Sequence, residues 1–179
     1  MSVVQTIVVA LWLMLPAYVP NNAAVVLGGG TPVDFGREWR GDRILGDGKT
    51  WRGGAGGIGA GFGLAVLLNA AVTQGYVPEF IPTFELRAAF ALALGAILGD
   101  MGASFLKRRT GRKRGAPFPG VDQLDFVVGA FVVTALLAPE WFFAEFTVEV
   151  IVAVLILTPL LHVTTNLIAY RLGLKDEPW

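Results

Sequence analysis

Five apolar segments, separated by polar stretches, constrain the fold of this chain more than any other feature. A helix of about 20 apolar residues crosses the hydrocarbon core of a bilayer, and 54% of the 179 residues are hydrophobic whereas 16% are charged. The sequence therefore predicts an all-α integral membrane protein with five transmembrane helices in one polytopic domain, residues 1–179. The segments are residues 3–19, 53–73, 88–106, 126–138 and 148–170.

The fourth segment is the shortest, because Pro139 follows it closely. To span a bilayer it needs residues from Asp122 onwards at one end or from Trp141 onwards at the other. Residues 74–87 and 139–147 are expected to be short connections at the membrane interface, because they are rich in Pro, Trp and Phe.

Lysine and arginine are concentrated in one set of loops. Of the 14 basic residues, five lie in residues 20–52, six in residues 107–114 and two in the tail from Arg171, and Arg87 alone lies elsewhere. Loops rich in Lys and Arg stay on the cytoplasmic side of a membrane. We therefore predict a multi-pass cell-membrane protein with its N-terminus outside, two functional cytoplasmic loops and a cytoplasmic active face.

Other compositional features exclude several kinds of site. The chain has no cysteine and one histidine, which rules out thiolate chemistry and a zinc centre with several histidine ligands. Its formal net charge is zero, and no nucleic-acid partner is expected.

Three acids border the second basic loop. Asp122 and Asp125 are spaced to lie on one face of a helix, and Asp100 ends the third apolar segment. Carboxylates combined with phosphate oxygens suit Mg²⁺, so we predict a magnesium site at these three residues. The alternatives are helix capping by Asp122 and Asp125 and an ion pair between Asp100 and an arginine of the loops.

Cations in both predicted cytoplasmic loops suit a phosphate-bearing ligand. Lys49, Lys107 and Arg108 are the candidate phosphate ligands, although a basic run beside a membrane helix also binds anionic lipid head groups without catalysis. The segment around Lys49 lacks the strand and the first glycine of a P-loop, where Arg43 stands instead, so that motif is rejected. The other candidate substrate-binding residues of these loops are Gly29, Gly30, Arg43, Thr50, Trp51 and Ser104.

His162 and Asn166 lie four residues apart in the fifth segment. A pair of this kind in a membrane helix most often makes hydrogen bonds between helices. A role in the site is the alternative.

Three motifs, taken in order, resemble the phosphatidate cytidylyltransferases. Gly99-Asp100, Ser104 and Lys107-Arg108 reproduce the pattern G-D-x3-S-x2-K-R. The other two matches are Pro119-Gly120 followed by Asp122 and Asp125, and the run Lys49-Thr50-Trp51-x-Gly53. The short five-segment form, together with GGGTPVDFG and PGVDQLDF, is similar to the archaeal branch of that superfamily, the CDP-archaeol synthases.

The resemblance implies transfer of CMP from CTP to 2,3-bis-O-geranylgeranyl-sn-glycerol 1-phosphate, giving unsaturated CDP-archaeol and pyrophosphate. It implies Mg²⁺ as cofactor and CTP, a geranylgeranyl glycerol-ether phosphate and membrane lipids as partners. Asp122, Asp125, Lys49 and Lys107 are then the expected catalytic residues. The competing interpretations are a non-catalytic carrier or flippase of an anionic lipid and a membrane anchor for a soluble partner. A carrier is disfavoured, because the polar residues gather on one face and no internal repeat is visible.

Overall fold

The structure is a computed structural model that describes residues 1–111, 118 and 120–173. Arg112, Lys113, Arg114 and Pro119, which the sequence places in the basic loop and at the start of the fourth segment, lie outside the described residues, as does the tail after Gly173. The elements are α1 (Val3–Leu27), β1 (Glu38–Trp39), β2 (Asp42–Arg43), α2 (Trp51–Thr73), α3 (Leu86–Arg109), α4 (Val121–Leu137), α5 (Pro139–Glu145) and α6 (Val148–Arg171).

Within the described part of the chain, four helices are long and apolar enough to cross a membrane: α1, α2, α3 and Val148–Ile168 of α6. The helix at the predicted fourth span, α4, has 17 residues. It begins at Val121, so its first two turns carry Asp122 and Asp125, and it ends just before Pro139. The predicted helical class is confirmed. Five spans were predicted, and four helices among the described residues meet the length and hydropathy expected of a span.

One predicted boundary is wrong. The first helix does not end at residue 19 but continues through Pro16 and Pro20 to Leu27, so the first polar loop starts about two turns later than predicted. Residues 139–145, within the second predicted short connection, form the short helix α5. Proline is well tolerated in the first turn of a helix, where Pro139 stands.

Glycines bring α1 and α2 into close contact. Gly53, Gly57 and Gly61 lie one turn apart, and each faces a carbonyl oxygen of α1. The facing carbonyls belong to Ala24, Pro20 and Pro16, and a Cβ atom on Gly53 would lie 2.8 Å from the first of them. Small residues of this kind let membrane helices approach closely.

A second glycine contact joins α3 to α4. Gly95 on α3 faces the backbone of Gly129, and Gly99 faces the backbone of Asp125. Further from the charged end, an aromatic cluster closes the bundle, with Phe131 and Phe146 ring centroids 4.9 Å apart. The α3–α4 contact matters most for the site, because it places the backbone of Asp125 against the residue that precedes Asp100.

Candidate active site

The site lies at one end of the bundle, where α1, α3 and α6 end and α2 and α4 begin. The last turns of α3 carry Asp100 and Lys107, and the first turns of α4 carry Asp122 and Asp125. The ends of α1 and α6 and the start of α2 complete the wall around them. The predicted acids and cations therefore meet, although they come from segments far apart in the sequence.

The loop between α1 and α2 is folded around Asp34. Its carboxylate is buried and accepts hydrogen bonds from Arg43 Nη2 at 2.7 Å and from the amides of Leu45 at 2.9 Å, Gly46 at 3.0 Å and Gly36 at 3.1 Å. Burial raises the pKa of the Asp34 carboxyl, but these hydrogen bonds outweigh that effect and hold the pKa well below its usual range. Asp34 thus stays ionised and anchors the loop.

Within this loop, β1 and β2 form a short hairpin, with two residues in each strand, that the sequence reasoning did not predict. The pairs are Glu38 with Arg43 and Trp39 with Asp42. The turn residues Arg40 and Gly41 both have positive φ, 58° and 85°, as a type I′ hairpin turn requires.

Arg43 was predicted to bind substrate, but its guanidinium is engaged within the loop. It pairs with Asp34 at 2.7 Å and with Asp47 at 2.5 Å, and Asp34 and Asp47 hold its pKa above its usual range. Arg43 does not line the cavities described below. The structure thus gives it a role in shaping the loop.

Arg109 fastens the hairpin to α3. Its guanidinium carbon lies 5.2 Å from the ring centroid of Trp39 and 5.5 Å from that of Phe105, and these two rings stack on each other. It also donates to the carbonyl oxygens of Trp39, Asp42 and Arg43. The loop is therefore tied to the helix that carries Asp100 and Lys107.

Lys49 is held at the base of the same loop. The amide of Val33 donates to its carbonyl oxygen at 2.8 Å, and its ammonium group forms an ion pair with Asp100. The next residue, Thr50, caps α2, because its hydroxyl accepts from the amide of Gly53 at 3.1 Å. Lys49 and Asp100 therefore meet, and Asp100 forms an ion pair, as in the alternative interpretation, but with a lysine instead of an arginine.

The second ion pair joins Lys107 to Asp122. Lys107 Nζ lies 2.5 Å from Asp122 Oδ1, and both side chains are about a quarter exposed. The other carboxylate oxygen accepts from the amide of Phe118 at 2.9 Å, which ties the start of α4 to the residue at 118 and does not cap the helix amides. Asp125 lies one turn further along α4, and its carboxylate accepts from the amide of Phe126 at 2.6 Å.

Two cavities, each of about 480 Å³, meet at Asp100 and Lys107. The first, the loop-side cavity, lies between the loop and α3 and includes the predicted residues Gly29, Lys49, Thr50, Ser104 and Arg108. The second, the helix-side cavity, lies between α1, α4 and α6 and includes Asp122, Asp125, His162 and Asn166. Nine of the twelve predicted site residues thus line one or both cavities, counting Asp100 and Lys107.

Two further predicted residues lie outside both cavities. Gly30 is exposed, and Trp51 is 56% exposed and packs against Phe35, with ring centroids 6.2 Å apart. His162 and Asn166 contact each other within α6. Asn166 Nδ2 lies 3.2 Å from His162 Nδ1 on the same helix, and both face the helix-side cavity.

The carboxylates of Asp100, Asp122 and Asp125 are the candidate ligands for magnesium. Within residues 1–111, 118 and 120–173, no group of three or more His, Asp or Glu side chains is close enough to hold a metal ion. Asp122 Oδ1 is buried and, apart from the ion pair, meets no described donor in hydrogen-bond geometry. Mg²⁺ commonly takes one or two protein carboxylates together with substrate phosphates and water. The residues therefore fit a metal that arrives with a phosphate ligand, and not a resident metal held by protein alone.

Sequence reasoning missed Asp34 and Arg109, which position the loop. Asp34 lies in the run GGGTPVDFG, where an acid among turn-forming residues signals a hydrogen-bonded loop. Arg109 was hidden in a basic run, in which no local pattern separates it from its neighbours.

Known proteins of similar sequence and fold identify the family. Residues 3–179 match the CarS-like family model, described as CDP-archaeol synthase. The chain is 60% identical over 172 residues to the CDP-archaeol synthase of Halorubrum lacusprofundi, covering 95% of this chain and 96% of that protein. It is 59% identical over 181 residues to the CDP-archaeol synthase of Halobacterium salinarum, covering 100% of both.

A solved structure has a similar fold. The solved protein is an intramembrane enzyme for archaeal membrane lipids biosynthesis. The TM-score is 0.71 at 40% identity, over 89% of this chain and 94% of that chain. The predicted family and the predicted enzyme class are therefore confirmed, since both similarities extend over nearly the whole chain: the chain belongs to the CDP-archaeol synthase family of membrane-embedded, multi-helix enzymes of archaeal lipid synthesis.

Proposed function

We propose that this protein transfers CMP from CTP to 2,3-bis-O-geranylgeranyl-sn-glycerol 1-phosphate at the cytoplasmic face of the membrane. The products are unsaturated CDP-archaeol and pyrophosphate. The observation that carries the proposal is the pair of cavities that share Asp100 and Lys107. One is lined by cations and glycine backbone, and the other by carboxylates and helix side chains, so a polyanion and a second substrate can meet.

In the reaction, an oxygen of the lipid phosphate attacks the α-phosphorus of CTP. A new P–O bond forms, and the bond from the α-phosphorus to the oxygen bridging to the β-phosphorus breaks, so pyrophosphate leaves with that electron pair. A phosphate monoester has a second pKa of about 6 and is mostly dianionic at neutral pH. The nucleophile therefore needs no protein base.

The chain must then position two anions and neutralise the charge on the leaving group. Lys49 and Arg108 line the loop-side cavity with the backbone of Gly28 and Gly29, where they can bind the triphosphate. Lys107 lines both cavities and can contact either phosphate group. Preorganised cations of this kind stabilise developing charge more than they do in water.

We assign one or two of the carboxylates of Asp122, Asp125 and Asp100 to Mg²⁺, together with phosphate oxygens of the substrate and water. When bound, the metal would act as a Lewis acid that neutralises the phosphate oxygens. The ion pairs of Asp100 with Lys49 and of Asp122 with Lys107 neutralise these groups before the ligands bind. Asp125 carries no such lysine pair among the described residues.

The proposed topology follows from the charge distribution, with five helices crossing the membrane, α4 included, and Met1 outside. Of the ten basic residues that the structure describes, nine lie on the side of the bundle that carries the two cavities, and Arg87 lies at the opposite end. A cysteine introduced at Thr110 should be labelled by a membrane-impermeant thiol reagent only from the cytoplasmic side. Labelling from outside would overturn this topology.

The activity is tested by incubating purified protein with radiolabelled CTP, magnesium and several lipid phosphates in parallel. We expect label in lipid only with the geranylgeranyl glycerol-ether phosphate and close analogues, and none after EDTA treatment. Full activity in EDTA would refute the metal assignment. Movement of lipid across a vesicle bilayer without CTP consumption would favour the carrier over the enzyme.

A further inference from the structure

The helix-side cavity changes character along the helix axes. Near the charged ends it is lined by Asp100, Lys107 and Asp122, and then by Asn166 of α6. At 1.5 Å per residue, the cavity wall at Ala17 lies roughly 15 Å from the end of α1. The cavity therefore extends from the charged site well into the bundle.

The deep part of the cavity is mostly apolar. It is lined by Ala17, Leu161 and Phe126, and a hydrogen bond of 2.8 Å between the hydroxyls of Tyr18 and Thr158 satisfies both polar groups there. This order of charged, polar and apolar lining matches a molecule with a phosphate at one end and a hydrocarbon chain at the other. A nucleotide has no apolar end.

His162 and Asn166 form the polar middle of the wall. They lie four residues apart on one face of α6, and both are partly buried. An amide and an imidazole supply N–H donors, which suit phosphate and ether oxygens. Asn21 faces them from α1, and its Oδ1 atom is buried without a hydrogen-bond partner among the described residues.

The loop-side cavity has different chemistry. Lys49, Arg108 and the glycine backbone of Gly28 and Gly29 line it, which suits the several charges of a triphosphate. The outer face of α6 is apolar and exposed, with Ile156 at 57% and Leu160 at 57%. A lipid in the bilayer therefore has an apolar helix beside the cavity, and a soluble nucleotide does not need one.

We propose that the helix-side cavity binds the head of the lipid acceptor, with its phosphate at Lys107 and its glycerol-ether region at His162 and Asn166. The triphosphate binds in the loop-side cavity. This inference rests on the proposed function and adds to it an assignment of the two substrates to the two cavities.

Adjacent threonines of α6 provide a matched test. The hydroxyls of Thr164 and Thr165 make equivalent bonds to backbone carbonyls of their own helix, 2.7 Å to Leu160 and Leu161 respectively. Only Thr165 lines the cavity. Thr165→Leu fills space inside it, whereas Thr164→Leu adds the same volume outside.

We expect Thr165→Leu to raise the KM for the lipid phosphate by about tenfold, because the added volume displaces the glycerol-ether region and disrupts about one hydrogen bond there. Asn166→Leu, a second variant that removes the donor without adding much volume, should do the same. The KM for CTP and the equilibrium binding of radiolabelled CTP without lipid should stay unchanged in both. Thr164→Leu should match the wild type in all three measurements.

The outcomes separate the two proposals. If wild-type protein transfers no CMP to any lipid phosphate, the proposed function fails and this inference fails with it. If transfer is normal but the variants raise the KM for CTP or abolish CTP binding, the cavity holds the nucleotide and this inference alone is wrong. Unchanged lipid KM in both Thr165→Leu and Asn166→Leu would overturn it equally.

Discussion

Replacement of Gly99 by alanine tests whether the contact between α3 and α4 sets the geometry of the site. A Cβ atom on Gly99 would overlap the carbonyl oxygen of Asp125 and would lie 2.9 Å from its carbonyl carbon and 3.0 Å from Phe126 Cα. These are backbone atoms, so a change of side-chain rotamer cannot relieve the overlap. The two helices must therefore move apart by about 1 Å to restore ordinary contact distances.

Gly102, in the same helix, provides a control for the loss of stability caused by Gly99→Ala. Overpacking costs about 1–3 kcal/mol, whereas alanine in a helix is about 0.5–1 kcal/mol more stable than glycine. A Cβ atom on Gly102 meets nothing within 4 Å, so Gly102→Ala receives only the gain. We expect Gly99→Ala to be less stable than Gly102→Ala by about 1–3 kcal/mol, which is roughly 2–12 °C in Tm for a chain of this size.

Activity should fall further than stability. Displacement of Asp125 relative to Asp100 by about 1 Å lowers turnover by about 100-fold, because catalytic groups tolerate little misplacement. The assay is thermal unfolding in detergent, followed by CMP transfer at a temperature at which both variants are folded. Equal Tm values and equal turnover for Gly99→Ala and Gly102→Ala would refute the role assigned to this contact.

Four other substitutions test the remaining parts of the site. Asp122→Asn and Asp125→Asn should each abolish CMP transfer while the protein stays folded, as judged by its melting curve, and near-normal activity at saturating metal would leave that acid with a structural role only. Lys49→Ala should lower kcat/KM for CTP by about 100-fold or more, with little change in Tm because the ion pair is partly exposed. Asp34→Asn should make the loop more sensitive to protease at pH 7. In the wild type this protection is fully present above the ordinary carboxyl pKa of about 3.9 and is lost as the pH falls towards the lower pKa of the folded state, whereas protection in the variant should not change over that range.

The helical bundle was largely predictable, because apolar segments and basic loops follow directly from composition. The sequence reasoning also placed Asp100, Asp122 and Lys107 together, as the structure does. Charged side chains at the ends of membrane helices avoid the hydrocarbon core and therefore gather near the interface. It failed at the end of the first helix, which was predicted at residue 19 and in the structure continues through Pro20 to Leu27. The glycines of α2 pack against α1 there, and this tertiary packing outweighs the local preference.

The loop between α1 and α2 was the least predictable part of the site. Its conformation depends on Asp34, which satisfies three amides and Arg43 together, and on Arg109, which comes from another helix. Contacts between distant residues leave no local periodicity in the sequence. For this reason, Arg43 was interpreted as a substrate-binding residue, whereas its guanidinium pairs with Asp34 and Asp47 within the loop.

The two lysine–aspartate pairs explain how the site can exist before its ligands bind. Lys49 and Lys107 would leave strong charges in a partly buried place if they stood alone, and so would Asp100 and Asp122. Paired, they neutralise each other. A triphosphate alone would draw the lysines away and leave the carboxylates unpaired, and a metal ion alone would do the reverse. Only the two together give every charge a new partner, so the pairing favours the binding of the triphosphate as its metal complex.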